Sequence, residues 1–190
     1  MLRDWIGIIG TLLGVILGFF LNQLIPSKIQ ERKQRRSVRA LLSLEIDQNL
    51  DLLRELWNKA NQVKESDQNP NLSKARRLVE MSLPLWSHKA WESQIPLLAI
   101  ALSEKEIKQV HDFHSRLDMI TVIHSKLSAL KVEEEIDLKE DLKIRAVQGR
   151  RPFSHFVSGC KFIKNAPKLW EEFEQIVCDM LNRGNPLETK

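Results

Sequence analysis

Tyrosine is missing from this 190-residue chain, and glycine and proline number only seven each. β-Branched runs are short, while Leu, Lys, Glu, Ser and Ile dominate, a composition that favours helices over sheets. Two cysteines, Cys160 and Cys178, form neither a C-x-x-C pair nor a secretory framework, which leaves them as buried, reduced thiols. The chain also lacks a glycine-rich phosphate loop, a G-x-S-x-G elbow, an H-E-x-x-H helix and any zinc-type spacing. No repeat of about 20–50 residues recurs.

Excess positive charge is confined to one place. Lys28, Arg32, Lys33, Arg35, Arg36 and Arg39 lie between Ser27 and Arg39 against a single acid, Glu31. That segment carries +5, more than the +4 of the whole chain, so the rest is slightly acidic. A domain-wide basic face is therefore absent, and nucleic acid is excluded as a partner.

What is present begins with a long apolar run, Ile6–Ile25, whose only strongly polar members are Asn22 and Gln23. About twenty helical residues span about 30 Å, the thickness of a bilayer core. The run reads as a transmembrane anchor over 1–26, with Trp5 at one interface. It does not read as a cleaved leader, because the basic residues follow it and no small-x-small site closes it. The positive-inside rule puts the N-terminus outside and the remainder in the cytoplasm, a single-pass arrangement. The six basic residues form a juxtamembrane segment, 27–40, suited to contact with anionic membrane lipids. Gly7, Gly14 and Gly18 share about 40° of helix surface, with Thr11 among them and Gly10 at the edge. Such a stripe lets helix backbones approach closely, which points to a homo-oligomer or to another membrane protein as partner.

From Pro26 onward the pattern is helical. Val38, Leu42, Ile46, Leu50 or Asn49, Leu53, Leu56, Trp57, Ala60 and Val63 recur at three-four spacing. Ser66–Asn71 is a loop, Lys74–Leu83 a short helix, and Ser87 the N-cap of a helix that Pro96 kinks or ends. Ser103 and Glu106 form a capping box opening a helix to about Leu130, with core positions Val110, Phe113, Leu117, Ile120, His124 and Leu127. The acidic cluster Glu133–Asp141 reads as a solvated helix face or as a surface folded against the basic segment. A helix through Ile144–Val147 ends at Gly149. From Phe153 through Val157, Cys160, Ile163, Pro167, Trp170, Phe173, Val177 and Met180 runs one kinked helix or two collinear ones, and 184–190 is a flexible tail. The fold class is all-α: the anchor, then an antiparallel helical bundle over 41–183 with Trp57, Trp91 and Trp170 inside.

One constellation invites chemistry. His111, His114 and Asp118 stand at i, i+3 and i+7 on one helix flank, a stripe able to contribute ligands to a divalent metal, with His88 and Glu92 as partners on a second helix. The alternative is a polar flank without a ligand. His124 falls in the middle of the apolar face and reads as a satisfied core histidine. Gly149–Pro152 reads as a basic surface turn.

The segments RRSVRALLSLEIDQNLDLL (35–53) and AWESQIPLLAIALSEKEIKQVHDFHSRLDMI (90–120), placed behind a glycine-spaced anchor, give the chain its resemblance to small single-pass bacterial membrane proteins without assigned function. That resemblance implies an inner-membrane setting and carries over no active-site residue. The functional expectation is a non-enzymatic, self-associating interaction or scaffold protein whose bundle binds an unidentified cytoplasmic protein. No cofactor is implied. The alternative is a metal-binding enzyme or sensor built on His111, His114 and Asp118.

Overall fold

A computed structural model of the chain describes residues 13–19, 25–62, 69–148 and 161–188. Among these residues the molecule is all-helical. After a helical segment at 13–19 come α1 (Ile25–Asn61), α2 (Pro70–Glu80), α3 (Lys89–Ala101), α4 (Glu104–Gln148) and α5 (Lys161–Arg183).

The element ends follow local rules. Pro26 sits in the first turn of α1, where a missing N–H costs nothing. Asn69 caps α2, its side chain accepting the Leu72 N–H at 3.1 Å, with Pro70 next in line. At the head of α4 the capping box closes as expected. Ser103 Oγ accepts the Glu106 N–H at 3.3 Å, and Glu106 Oε2 accepts the Ser103 N–H at 2.8 Å. That backbone N–H holds the Glu106 carboxyl below the usual carboxylate range. α5 stops at Gly184, whose φ of 66° is the left-handed conformation a helix C′ position asks for. Pro96 and Pro167 lie inside α3 and α5, and neither ends its helix.

α4 is longer than expected. No glycine or proline interrupts 104–148, and four of the six acidic residues over 133–141 are glutamates, good helix formers, so one 45-residue helix replaces the two anticipated.

Ion pairs and ring contacts set the directions. Glu133 meets Lys161 while Asp179 meets Arg116, so α4 and α5 are antiparallel. α1 runs antiparallel to α5 as well, with Trp57 against Trp170 and Ser43 against Asn185. α3 descends between α1 and α4, and α2 packs on α5 at the level of Trp170 and Phe162. The core is a single cluster running through Leu42, Ile46, Leu53, Val110, Leu117, Ile120, Phe162, Trp170, Phe173 and Val177. Trp170 is fully buried, whereas Trp57 and Trp91 are only partly so. Arg39 pairs with Glu106 at 2.7 Å, at the opposite end of α4 from Glu133. The basic start of α1 and the acidic stretch of α4 therefore cannot fold onto each other within one chain.

The anchor requires correction. Among the described residues no helix is long and apolar enough to cross a membrane. Of Ile6–Ile25 the described part before α1 is residues 13–19, about 10 Å of helix, and α1 itself turns basic within its first turns. This finding overturns the transmembrane span, the single-pass inner-membrane location and the orientation drawn from it. Lys28, Arg32, Lys33, Arg35 and Arg36 are simply exposed on the start of α1, and lipid contact loses the anchor it depended on. Arg39 is half-buried, donating to the Leu187 carbonyl at 3.1 Å besides its Glu106 pair. Of the glycine stripe, Gly14 and Gly18 stand in open space, while Gly7, Gly10 and Thr11 lie outside the described residues. So do Val63, Gly149–Cys160 and the side chains of 140–148.

Within the described part of the tail, 184–188, Asn185 and Leu187 are buried and hydrogen-bonded to Ser43 and Arg39 of α1.

Candidate functional site: a buried polar centre under the head of α3

The apolar stripe of α1 is interrupted twice on its inward face, by Glu45 at 4% exposure and Asn49 at 0%. A buried carboxylate is costly unless hydrogen bonds replace its water. Glu45 finds them at the first turn of α3. Its Oε2 accepts the Ser87 hydroxyl at 2.9 Å and the Ala90 N–H at 2.7 Å, and its Oε1 accepts the Trp91 N–H at 3.1 Å. Asn49 grips the preceding residue from both sides, donating to the Ser87 carbonyl at 2.8 Å and accepting the Ser87 N–H at 2.9 Å. The residue in the N-cap position is His88, not Ser87, and its own side chain makes no cap bond. The cap of α3 is supplied by another helix, and the positive end of the helix dipole meets a carboxylate.

Above Glu45 lies His114 of α4, 4% exposed. Its ring stacks on Trp91 at 5.5 Å, tilts against His88 at 4.9 Å and meets Phe113 edge-on at 5.6 Å. Its Nε2 stands 3.6 Å from Glu45 Oε1, and neither ring nitrogen has a hydrogen-bond partner. Burial pushes the imidazole down to about 4, and the neighbouring His88 adds to the effect against the opposing pull of Glu45 and Asp118. At neutral pH His114 is an uncharged ring in an aromatic slot.

The predicted stripe is not brought together as a ligand set. His114 turns inward, whereas His111 is exposed with its ring edge-on to Trp91 at 6.2 Å. Asp118 is exposed too, 3.8 Å from His88 Nε2, and Glu92 lies on the surface. Among the described residues no group of three or more His, Cys, Asp or Glu side chains is placed to hold a metal ion. His124 is half-buried with Nε2 at 3.2 Å from the Met81 carbonyl, and Ile123 shares the core role assigned to it. Cys178 is a free, half-buried thiol.

A cavity of about 400 Å³ opens beside this centre without reaching it, lined by Gln109, Asp112, Phe113, Arg116, Met180 and Arg183 among others. Its charges are already engaged with one another: Arg116 with Asp112 at 2.9 Å and with Asp179, and Arg183 with Asp179 at 2.9 Å. Glu45 has spent its lone pairs on α3, and His114 is shielded by rings on three sides. Such an arrangement fixes one helix against two others.

Glu45 was the residue sequence reasoning passed over, and Asn49 entered it only as an alternative to Leu50 in the apolar stripe. Their signal was there: two polar side chains at i and i+4 within an otherwise apolar stripe. Comparison with protein-family models, with curated proteins and with solved structures finds no match to this chain, so no activity or fold name is carried over from a relative.

Proposed function

We propose that the protein is a non-enzymatic helical interaction module that self-associates through its N-terminal apolar segment and presents its bundle to a further protein. One observation carries this reading. Leu13, Val15, Ile16, Leu17 and Phe19 are 46–67% exposed on a helical segment, and a Cβ built on Gly14 or Gly18 would meet nothing within 4 Å. A segment apolar on all sides gains by being covered, and glycines at i and i+4 let a second backbone come close. The polar centre supports the same reading, because its chemistry is directed to holding α3 in place. The alternative, a metal-dependent enzyme or sensor, has His111, His114 and Asp118 facing three different surroundings.

The test uses full-length chains labelled separately with donor and acceptor dyes. Mixing is expected to give energy transfer that the pair Gly14→Ile and Gly18→Ile reduces at least several-fold. Transfer unchanged by both substitutions would remove the N-terminal segment from the reading.

A further inference from the structure

The face of α4 turned away from the core is apolar at helical spacing. Met119, Val122, Val132 and Ile136 are each 50–55% exposed, and Ala129 lies exposed between them. At 100° per residue, Val122, Ala129, Val132 and Ile136 fall within about 80° of one another, roughly opposite the buried Ile120, Ile123 and Leu127. From Val122 to Ile136 the stripe extends for about 21 Å. Isolated exposed apolar residues need no explanation, but an aligned row on one helix does.

Two further observations say what covers it. The polar residues bordering the row have already satisfied their hydroxyls within the helix. Ser125 Oγ donates to the Thr121 carbonyl at 2.9 Å, and Thr121 Oγ1 to the Leu117 carbonyl at 3.2 Å. Covering them strands no donor. The row is also self-complementary about Ala129. Turning a second α4 antiparallel about that residue brings Val122 opposite Ile136 of the other copy. The same operation sets the exposed Lys126 beside the other copy's Glu133, on the same flank. Contacts that repeat in this reciprocal way are the mark of a two-fold interface, and the small side chain of Ala129 lets the helices cross closely. Among the described residues Glu133 pairs with Lys161, at 3.2 Å and on the surface, where solvent screens the pair.

We infer that the outer face of α4 is a homodimer interface, in which two copies pair antiparallel about Ala129 through Val122, Val132 and Ile136, flanked by Lys126–Glu133 pairs. The occupant is a second copy of this chain. The surface is separate from residues 13–19, so it deepens the self-association reading without sharing its residues.

Sedimentation velocity of the full-length chain over a concentration series tests it. Because all the positions are exposed, their substitution leaves the fold intact, which circular dichroism checks. Ile136→Glu is expected to weaken the α4 contact by about 50-fold, and Lys126→Glu by about fivefold. The charge swap Lys126→Glu with Glu133→Lys restores the second loss, a rescue that a merely structural effect would not give. Running the series in a Gly14→Ile, Gly18→Ile background separates the two surfaces. Association that persists there and responds to Ile136→Glu supports the α4 dimer. Association abolished by the glycine substitutions alone, or unmoved by Ile136→Glu, overturns the α4 dimer and leaves the N-terminal reading standing. A chain monomeric at every concentration overturns both.

Discussion

Glu45 on α1 accepts the Ala90 N–H at 2.7 Å, so the first turn of α3 is closed by a residue 45 positions earlier in the chain. The same carboxylate takes the Trp91 N–H and the Ser87 hydroxyl. Glu45→Ala would strand these donors in a buried site. The expected loss of unfolding free energy is about 3 kcal/mol, since each orphaned buried donor carries its own desolvation cost. Glu45→Gln keeps one acceptor oxygen and should lose about half as much. Guanidinium denaturation followed by tryptophan fluorescence measures both. A Glu45→Ala chain as stable as one carrying the exposed Glu55→Ala would contradict the capping role.

His114 makes stability depend on pH in a definite direction. Its folded value, about 4, lies below the 6.5 of a free imidazole, so the unfolded chain takes up the proton first. The neutral ring's contribution is complete above pH 6.5 and is lost progressively as pH falls from there towards 4. At about 1.4 kcal/mol per unit, the drop between pH 7 and 5 is about 2 kcal/mol from this group. His114→Phe fits the aromatic slot of His88, Trp91 and Phe113, removes two unpartnered nitrogens and removes the titration. Denaturation curves of the two chains should therefore diverge as the pH is lowered. Parallel stability–pH curves would show that His114 is hydrated in the folded state.

How much of this was legible in the sequence divides along a physical line. Signals carried within one turn were readable: the stripe Val38–Leu42–Ile46–Leu50–Leu53 is buried as spaced, and the Ser103–Glu106 box closes as written. Pairings across distant positions were not. Nothing local to Glu45 or Asn49 says that Ser87 and Ala90 will face them. His114 differs from His111 only in which way the helix happens to turn it against its neighbours. Hydropathy misled at the N-terminus because it sums apolarity along a line, whereas among the described residues no helix is long and apolar enough to cross a membrane. Between Leu130 and Ile144 the acidic run looked like a break, although it holds neither glycine nor proline.

Trp57, at the edge of the core, stacks on the fully buried Trp170. Their rings lie 5.8 Å apart and 9° from parallel, with Phe173 at 5.2 Å from Trp170 and Lys74 Nζ over the Trp170 ring at 5.6 Å. Trp170 ties α5 to α1 and α2 together. Trp170→Ala is expected to cost about 4 kcal/mol through lost burial and the cavity left behind. Trp170→Phe should cost far less, about 1.5 kcal/mol, because the indole N–H has no partner to lose. Thermal melts rank the two. Equal losses would mean that shape at this position matters more than volume.

The end of the described chain is held by its own polar logic. Asn185 Nδ2 donates to Ser43 Oγ at 2.8 Å and lies 2.9 Å from Asp47 Oδ1, while its Oδ1 accepts the Leu187 N–H at 2.9 Å. Leu187 is thereby set into the core at 4% exposure, and Arg39 donates to its carbonyl at 3.1 Å. Gly184 makes the reversal possible, since its φ of 66° is one that a side chain disfavours. Gly184→Ala should cost about 1 kcal/mol from the backbone alone, there being open space where its Cβ would stand. Asn185→Ala leaves the buried Leu187 N–H without an acceptor and should cost about 2 kcal/mol. Amide hydrogen exchange distinguishes this docking from a loose end: the Leu187 N–H should be protected in the native chain and exchange freely in Asn185→Ala. Rapid exchange already in the native protein would mean that the last residues are not seated on α1. In that case Arg39 would lose its bond to the Leu187 carbonyl and keep only its pair with Glu106.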